Sequence, residues 1–472
     1  MIHLNSEQVA DILSDQSRIT GYFDFKGIAT DSREVEPGNL FATWQGENLD
    51  GHEFCGQAVE KGAAALLVTH EVDIDIPQII VPDPQYTLGQ LTGMWRQTFD
   101  IPVIGVTGSN GKTTIKNMLR TICQYHFGVN HVVAPLKSYN NQVGVPLTLA
   151  QIDNNTRIAV VEMGTNQYGD IRYLTNLALP TVTLINNAGR SHLAALGSVE
   201  GVAQAKAEIM EGLSDNGIAV LNRDDPFFDY WYSQLGSQQR CLSFGVDDSQ
   251  ADIFLESCHV TTTGSSFRAR TPQGDLNVSL QLLGRHNLAN ALAATACALA
   301  AGLNLEAIKE GLQNVEPEKG RFSLYHLPQN TELVDDSYNA NLQSLARALD
   351  MIMLFTNNRT IVVLGDMLDL GEQTEHNHHD AGEMMYYKGV DYLITYGEAS
   401  RLAQQKYQSY GLSGKHFSDR NALCYHIEEI VKPGDMILFK ASNGMQLGAI
   451  AETMKQRLTD KLSTTTQPAN ET

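Results

Sequence analysis

Apolar residues recur along the chain in two alternating patterns. Short continuous runs at Ile101 to Val106, Ile158 to Met163, Thr181 to Ile185 and Ile218 to Leu221 have the length and content of buried strands. Helical spacing fills the intervals: from Thr113, the apolar positions Ile115, Met118, Leu119 and Ile122 fall at i, i+3, i+4 and i+7, one face of a helix. Such alternation predicts βαβ units and a largely parallel sheet. After a break at Val315-Glu316-Pro317-Glu318-Lys319-Gly320 the alternation restarts, with strands expected at Leu333 to Asp335, Ile361 to Leu364, Tyr392 to Tyr396 and Met436 to Phe439. This reads as a separate Rossmann-like domain. Residues 1–85 mix short apolar runs with turn signals, Glu36-Pro37-Gly38-Asn39 and Asp50-Gly51, and end at Val81-Pro82-Asp83-Pro84. A helix-like stretch from Tyr86 to Phe99 then leads into the first long run. The expected organisation is a small α/β unit over 1–85, a central domain over 86–317, a third over 318–458, and a polar tail, 459–472, expected to be disordered. A length of 472 residues, at about 150 per domain, agrees with three domains.

Composition narrows the class. Hydrophobic residues at 42% and charged residues at 18% belong to an ordinary globular chain with cores to bury. Thirty-three Lys plus Arg against 54 Asp plus Glu give a net charge of −21, which argues against general affinity for nucleic acid or anionic membrane. A phosphorylated small molecule remains compatible, because a local nest of N–H groups and a few cations suffices. The six cysteines are scattered, with no C-x-x-C pair and no zinc spacing, as in a reduced cytosolic protein. The N-terminus, Met1 through Asp11 to Asp15, is polar, and no apolar run reaches the ~18 residues of a spanning helix, so a cytoplasmic location without membrane insertion is expected.

The strongest chemical signal is Thr107-Gly108-Ser109-Asn110-Gly111-Lys112-Thr113-Thr114, between a predicted strand and a predicted helix. Glycines let backbone N–H groups turn toward a phosphate, the helix start adds positive potential, Lys112 supplies a charge for the β/γ-phosphates, and Thr113 a hydroxyl for Mg²⁺. Val106 stands where the full phosphate-loop pattern has its first glycine; the nearest are Gly105 and Gly108. Glu162 ends the next strand, where a carboxylate faces the ligand crevice of a doubly wound sheet and could meet Mg²⁺, or serve only as a turn residue. His192, in Asn186-Asn187-Ala188-Gly189-Arg190-Ser191-His192, and Lys206, in Ala205-Lys206-Ala207-Glu208-Ile209, are by themselves a loop histidine and a helix lysine.

Taken in order, Gly108-Ser109-Asn110-Gly111-Lys112-Thr113, the Glu162-Met163-Gly164 turn, the His192 loop and Ala205-Lys206-x-x-Ile209 resemble the Mur ligase family. Gly284-Arg285-His286-Asn287-Leu288-Ala289-Asn290 is similar to its Gly-x-His-Asn-x-x-Asn segment, and Gly320-Arg321 to the arginine before its last domain. Asp31-Ser32-Arg33, Pro37-Gly38-Asn39-Leu40-Phe41 and Gly46 to His52 resemble the UDP-binding domain of the two ligases that act late in the pathway. Asp335-Asp336-Ser337-Tyr338-Asn339-Ala340-Asn341, Gly365-Asp366-Met367 and Leu370-Gly371-Glu372 resemble the dipeptide-adding member, and the Asp-Asn-Pro-Arg usual in the diamino-acid ligase is absent. Two departures stand out: Leu342 replaces a common proline, and Ala441-Ser442-Asn443 replaces Gly-Ser-Arg.

The resemblance implies three α/β domains: an N-terminal UDP-binding domain, a central phosphate-loop ATPase domain with a mostly parallel sheet, and a C-terminal Rossmann-like domain. It implies an ATP-dependent ligase that adds D-alanyl-D-alanine to UDP-N-acetylmuramoyl-tripeptide through an acyl phosphate, giving the pentapeptide precursor of peptidoglycan. By the same resemblance Lys112 and Arg321 serve the γ-phosphate, and Gly108 to Thr114 cradle the phosphates. Thr113 and Glu162 hold one Mg²⁺, while His192, Glu162 and a CO₂-derived carbamate on Lys206 hold a second. Asn290 contacts adenine and Asp336 the ribose. Ser32, Arg33, Asn140 and Asn141 contact the UDP-sugar, and Asn339 and Asn341 the dipeptide. No nucleic-acid or membrane partner is implied, and a monomer is expected. The competing readings are a sister ligase adding a diamino acid, a folylpolyglutamate synthetase-like enzyme, a phosphate-loop switch, which should show Asn-Lys-x-Asp and does not, and a silent binding protein.

Overall fold

The computed structural model describes residues 1–13, 17–46, 49–135, 137–262, 264–355 and 359–464. Among these, three sheets follow one another along the chain. The first has strand order Arg18–Thr20, Gln78–Ile80, Ala65–Val68, Leu40–Ala42, Ile28–Ala29, parallel except for Arg18–Thr20. A short antiparallel pair, His3–Asn5 with Asp24–Lys26, lies beside it. The proline-rich segment that ends this unit also starts a helix, Pro84–Gln97: Asp83 accepts a hydrogen bond from the Tyr86 N–H, and Pro84 occupies the first turn, where its missing N–H costs nothing.

The central sheet runs Gly274–Leu280, Ser265–Thr271, Ile253–Val260, Arg240–Gly245, Ile218–Asn222, Val182–Ile185, Val103–Thr107, Ile158–Glu162, Val132–Val133. Successive side chains of a strand point to opposite faces. Ile104, Val106, Ile158 and Val160 therefore join Ile115, Met118, Leu119 and Ile122 of helix Lys112–Phe127 in one core, while Val103, Ala159 and Val161 face a second core with Leu174, Ile209 and Trp231. Against the first face also lies helix Arg285–Ala300, Ala-rich and buried almost all round. Its neighbour Leu305–Gln313 crosses helix Lys112–Phe127 so closely that a Cβ on Gly311 would stand 2.3 Å from the Ile122 Cα. The last two strands, Ser265–Thr271 and Gly274–Leu280, are antiparallel, with buried and exposed residues alternating.

The third sheet has the order Ser323–Leu327, Thr331–Asp335, Met436–Lys440, Thr360–Gly365, Tyr392–Tyr396, Gly414–Phe417, antiparallel only at its first strand. It carries a core on each face. The tail expected to be disordered from residue 459 instead continues helix Leu447–Thr464, because Leu458 and Leu462 prolong the apolar stripe of Ala451 and Met454 into the core. The rest of that expected tail, 465–472, lies outside the described residues. Cys55, Cys123, Cys297 and Cys424 are buried, and Cys258 is exposed. Among the described residues no helix is long and apolar enough to cross a membrane.

From Val103–Thr107 the chain builds Val132–Val133 and Ile158–Glu162 on one side, then crosses to Val182–Ile185 on the other. The order reverses at Val103–Thr107, so a crevice opens beyond its carboxyl end.

Candidate active site

The crevice is filled by the glycine-rich turn. Ser109 N–H donates to the Asn187 carbonyl at 3.0 Å and Asn110 N–H to Asn187 Oδ1 at 2.9 Å, so the asparagines after strand Val182–Ile185 shape the loop. Gly111 has φ +87°, and a Cβ there would stand 2.4 Å from Asn290 Oδ1; both conformation and space require glycine. No side chain caps helix Lys112–Phe127, which leaves its first N–H groups for an anion. Lys112 Nζ folds back onto the Gly108 carbonyl at 2.5 Å. Burial lowers its pKa, with Glu162 opposing and Arg321 adding to the shift.

Glu162 ends its strand facing this loop. Its Oε1 accepts from Asn140 Nδ2 at 2.8 Å and from Thr113 Oγ1 at 3.2 Å, while Oε2 is buried and has no partner among the described residues. A buried, bare carboxylate oxygen is costly. Set beside the Thr113 hydroxyl, itself 3.1 Å from Ser138 Oγ, it suits a hard divalent cation that takes oxygen ligands.

Two cavities meet here. One, about 240 Å³, is lined by the phosphate loop with Thr114, Glu162, Asn290, Arg321, Asp336 and Asn339. The other, about 680 Å³, is lined by Asn140, Asn141, Lys206, Trp44 and Gln85. Lys112, Asn140 and His192 border both. His192 precedes the short helix Leu193–Leu196 with φ +54°, and burial, then Lys112 and Lys206, push its pKa down to about 4. Lys206, on helix Val199–Ala207, is 2% exposed; burial first and Lys112 second hold its amine well below the usual lysine range, against the pull of Asp225. No group of three or more His, Cys, Asp or Glu able to hold a metal occurs among the described residues. Here the donors are of mixed chemistry: hydroxyl, carboxylate, imidazole and amine.

The third sheet closes the first cavity. Arg321 donates from Nη2 to Thr113 Oγ1 at 2.8 Å, pairs with Glu318 at 3.1 Å, and stacks 4.0 Å over the Tyr338 ring. Asp336 accepts from the Phe322 N–H at 3.1 Å and from Lys440 Nζ at 2.6 Å. Asn290 donates to Asn287 Oδ1 at 2.9 Å. Asn341 caps helix Leu342–Ile352 together with Ser344 and donates to Asn110 Oδ1 at 3.2 Å, so its side chain joins the two units. Leu342 is the first residue of that helix, a position that accepts proline without needing it. Asn141 caps Gly144 through Oδ1 at 2.8 Å.

Ser32 and Arg33 stand apart from this assembly. Ser32 is buried and donates to Gln57 Oε1 at 2.6 Å; Arg33 is 80% exposed and pairs with Asp31 at 2.7 Å. Neither lines the two cavities; Trp44 and Gln85 represent the first unit there. In the Gly46 to His52 run, residues 47 and 48 lie outside the described residues. Sequence reasoning passed over Ser138, Asn186, Asn187 and Lys440. Of these only the Asn-Asn pair at a strand end offered a local signal.

Fold and site together define a phosphate-loop α/β protein whose loop cavity is completed by a second α/β unit. Comparison with known proteins is specific: the models described as Mur ligase family, catalytic domain, Mur ligase middle domain, and Mur ligase, glutamate ligase domain match residues 24–90, 106–298 and 320–443. The chain is 36% identical over 458 residues to the UDP-N-acetylmuramoyl-tripeptide--D-alanyl-D-alanine ligase of Escherichia coli, covering 97% of this chain and 99% of that enzyme. The crystal structure of MurF from Acinetobacter baumannii superposes with a TM-score of 0.86 at 28% identity, covering 97% of this chain and 99% of that one. The MurF ligase of Thermotoga maritima, solved in complex with ADP, gives a TM-score of 0.79 at 25% identity over 92% of this chain and 98% of its own. The chain belongs to the Mur ligase family.

Proposed function

We infer that this protein is an ATP-dependent ligase that joins the terminal carboxylate of UDP-N-acetylmuramoyl-tripeptide to the amine of D-alanyl-D-alanine, releasing ADP and phosphate. The observation that carries the reading is the convergence of Lys112, Thr113, Glu162 and Arg321 from two units on one cavity. The 36% identity to an enzyme named for this reaction supports the choice of substrates over a diamino acid.

Amide formation in water is uphill, so the carboxylate oxygen first attacks the γ-phosphorus, ADP leaves, and the dipeptide nitrogen then displaces phosphate from the acyl carbon. Every reactant carries negative charge, the phosphates of both nucleotides and the carboxylates of both peptides, so the protein's task is charge neutralisation and in-line positioning. Lys112 and Arg321 take the γ-phosphate, and the N–H groups of Gly108 to Thr114 the chain behind it. Asn290 serves adenine and Asp336 the ribose. Thr113 and Glu162 would hold one Mg²⁺, and His192, Glu162 and Lys206 a second. Bound there, Mg²⁺ supplies Lewis-acid charge at the phosphoryl oxygens. A neutral Lys206 amine adds to CO₂ and loses a proton to give an anionic carbamate, so a side chain that would repel Mg²⁺ if protonated becomes an oxygen ligand. Asn140 and Asn141 lie where a nucleotide-sugar diphosphate would enter, with Ser32 and Arg33 further along the first unit. Asn339 is the better placed of the two dipeptide candidates, since Asn341 is engaged as a cap. A monomer working in the cytoplasm completes the reading.

The test is phosphate release from ATP with UDP-N-acetylmuramoyl-tripeptide, with and without D-alanyl-D-alanine. Release is expected to require the dipeptide. Release independent of it, together with activity on UDP-N-acetylmuramoyl-dipeptide and a free diamino acid, overturns the choice of substrate.

A further inference from the structure

Four Lys and Arg side chains line the smaller cavity: Lys112, Arg321, Arg347 and Lys440. Three have protein partners. Lys112 bonds the Gly108 carbonyl, Arg321 bonds Thr113 and pairs with Glu318, and Lys440 pairs with Asp336. Arg347 has none: among the described residues its guanidinium makes no hydrogen bond, ion pair or ring stack. It is part-buried, and burial lowers its pKa with no opposing carboxylate. Arg347 and Lys440 both lie close enough to His286 to add to the burial that pushes it down to about 3. Among the described residues no protein group offsets the burial of this cation.

Arg347 lies on helix Leu342–Ile352 one turn beyond Ser344, which lines the same cavity, as does Ala348. We propose that Arg347 is a nucleotide-binding residue that pairs with the phosphate chain of ATP at its ribose end, while Lys112 and Arg321 serve the γ end. The proposal rests on the reading of this cavity as the ATP site. Three arguments carry it. A guanidinium presents planar, paired donors that match phosphate oxygens. Asp336, assigned to the ribose, is neutralised by Lys440, so the phosphate next to the ribose still lacks a cation. Helix Leu342–Ile352 approaches the phosphate loop itself, through Asn341 on Asn110 and Gln343 on Asn110 at 3.1 Å.

The test uses the whole chain with Arg347→Met and Arg347→Lys. Arg347→Met should raise the ADP dissociation constant and the KM for ATP at least about tenfold, the loss expected for a charge-assisted hydrogen bond. The KM values for the tripeptide nucleotide and the dipeptide should stay within about twofold. Arg347→Lys should recover part of the loss. The ligand-free Met variant should melt no lower than the wild type, because an unpaired cation is removed, yet gain less from ADP. Unchanged ADP affinity in Arg347→Met overturns the proposal. A rise confined to the KM for D-alanyl-D-alanine overturns it in favour of the dipeptide carboxylate. A wild-type protein that ADP does not stabilise at all overturns the ATP-site reading, and the role of Arg347 with it.

Discussion

Burial and the nearby Lys112 push the pKa of both Lys206 and His192 down, which favours the neutral form of each side chain. Lys206→Ala removes the only one of these that can take up CO₂. Turnover should fall by about two orders of magnitude or more, in line with loss of a metal ligand. Near-normal turnover of that variant in CO₂-depleted buffer would refute the carbamate. His286 is a separate case. The unfolded chain binds a proton near the ordinary value of 6.5, whereas the folded protein does so only near 3. The contribution of a neutral His286 is therefore complete above pH 6.5 and is lost as pH falls from 6.5 toward 3, by up to about 1.4 kcal/mol per unit. Urea unfolding at pH 7.5 and 5.0 should show a smaller drop in His286→Gln than in the wild type; equal drops would remove His286 from the account.

Among the elements, the helix crossing at Gly311 is a tight backbone contact. Gly311→Ala places a methyl group 2.3 Å from backbone at Ile122, and the helices must part. A loss of about 1–3 kcal/mol in a denaturation midpoint is expected. Helix Lys112–Phe127 also carries the phosphate loop, so ADP affinity should fall with it. Most of the long parallel strands and this helix were legible because period and apolar length coincide: Val103–Thr107, Ile158–Glu162 and Tyr392–Tyr396 lie within a residue or two of expectation, whereas the parallel strands Val132–Val133, Arg240–Gly245 and Gly414–Phe417 were not anticipated. The antiparallel strands Ser265–Thr271 and Gly274–Leu280 were not, since Arg268, Arg270, Asp275 and Asn277 break every apolar run on their exposed face. In the site, Thr113, Glu162 and Arg321 sit in motifs, whereas Lys440 looks like an ordinary strand end. Only the adjacency of Met436–Lys440 to Thr331–Asp335 in the sheet brings it to Asp336.

Across the whole molecule, the junction between the central and third sheets combines polar contacts, Arg321 on Thr113, Asn341 and Gln343 on Asn110, Asn117 on Glu318 at 3.3 Å and the ion pair Arg190 with Asp380 at 3.9 Å, with the packing of Leu283 into the core of the third unit. Such junctions open readily. The segment Pro317 to Gly320 links the two units and is where a hinge would fall, and Glu318 within it ties both Arg321 and Asn117. Glu318→Ala should speed tryptic cleavage after Lys319 in the ligand-free protein, with ADP restoring resistance; a cleavage rate equal to the wild type would show that Glu318 does not restrain the hinge. The division of the site across this junction has a kinetic meaning. Water at 55 M is always available as a rival acceptor for the γ-phosphoryl group, and a loop able to activate ATP alone would hydrolyse it idly. Here the loop owns Lys112 while the opposite unit owns Arg321. On the proposed reading, full activation needs the cations of both units together, which would make the junction a safeguard against wasted nucleotide.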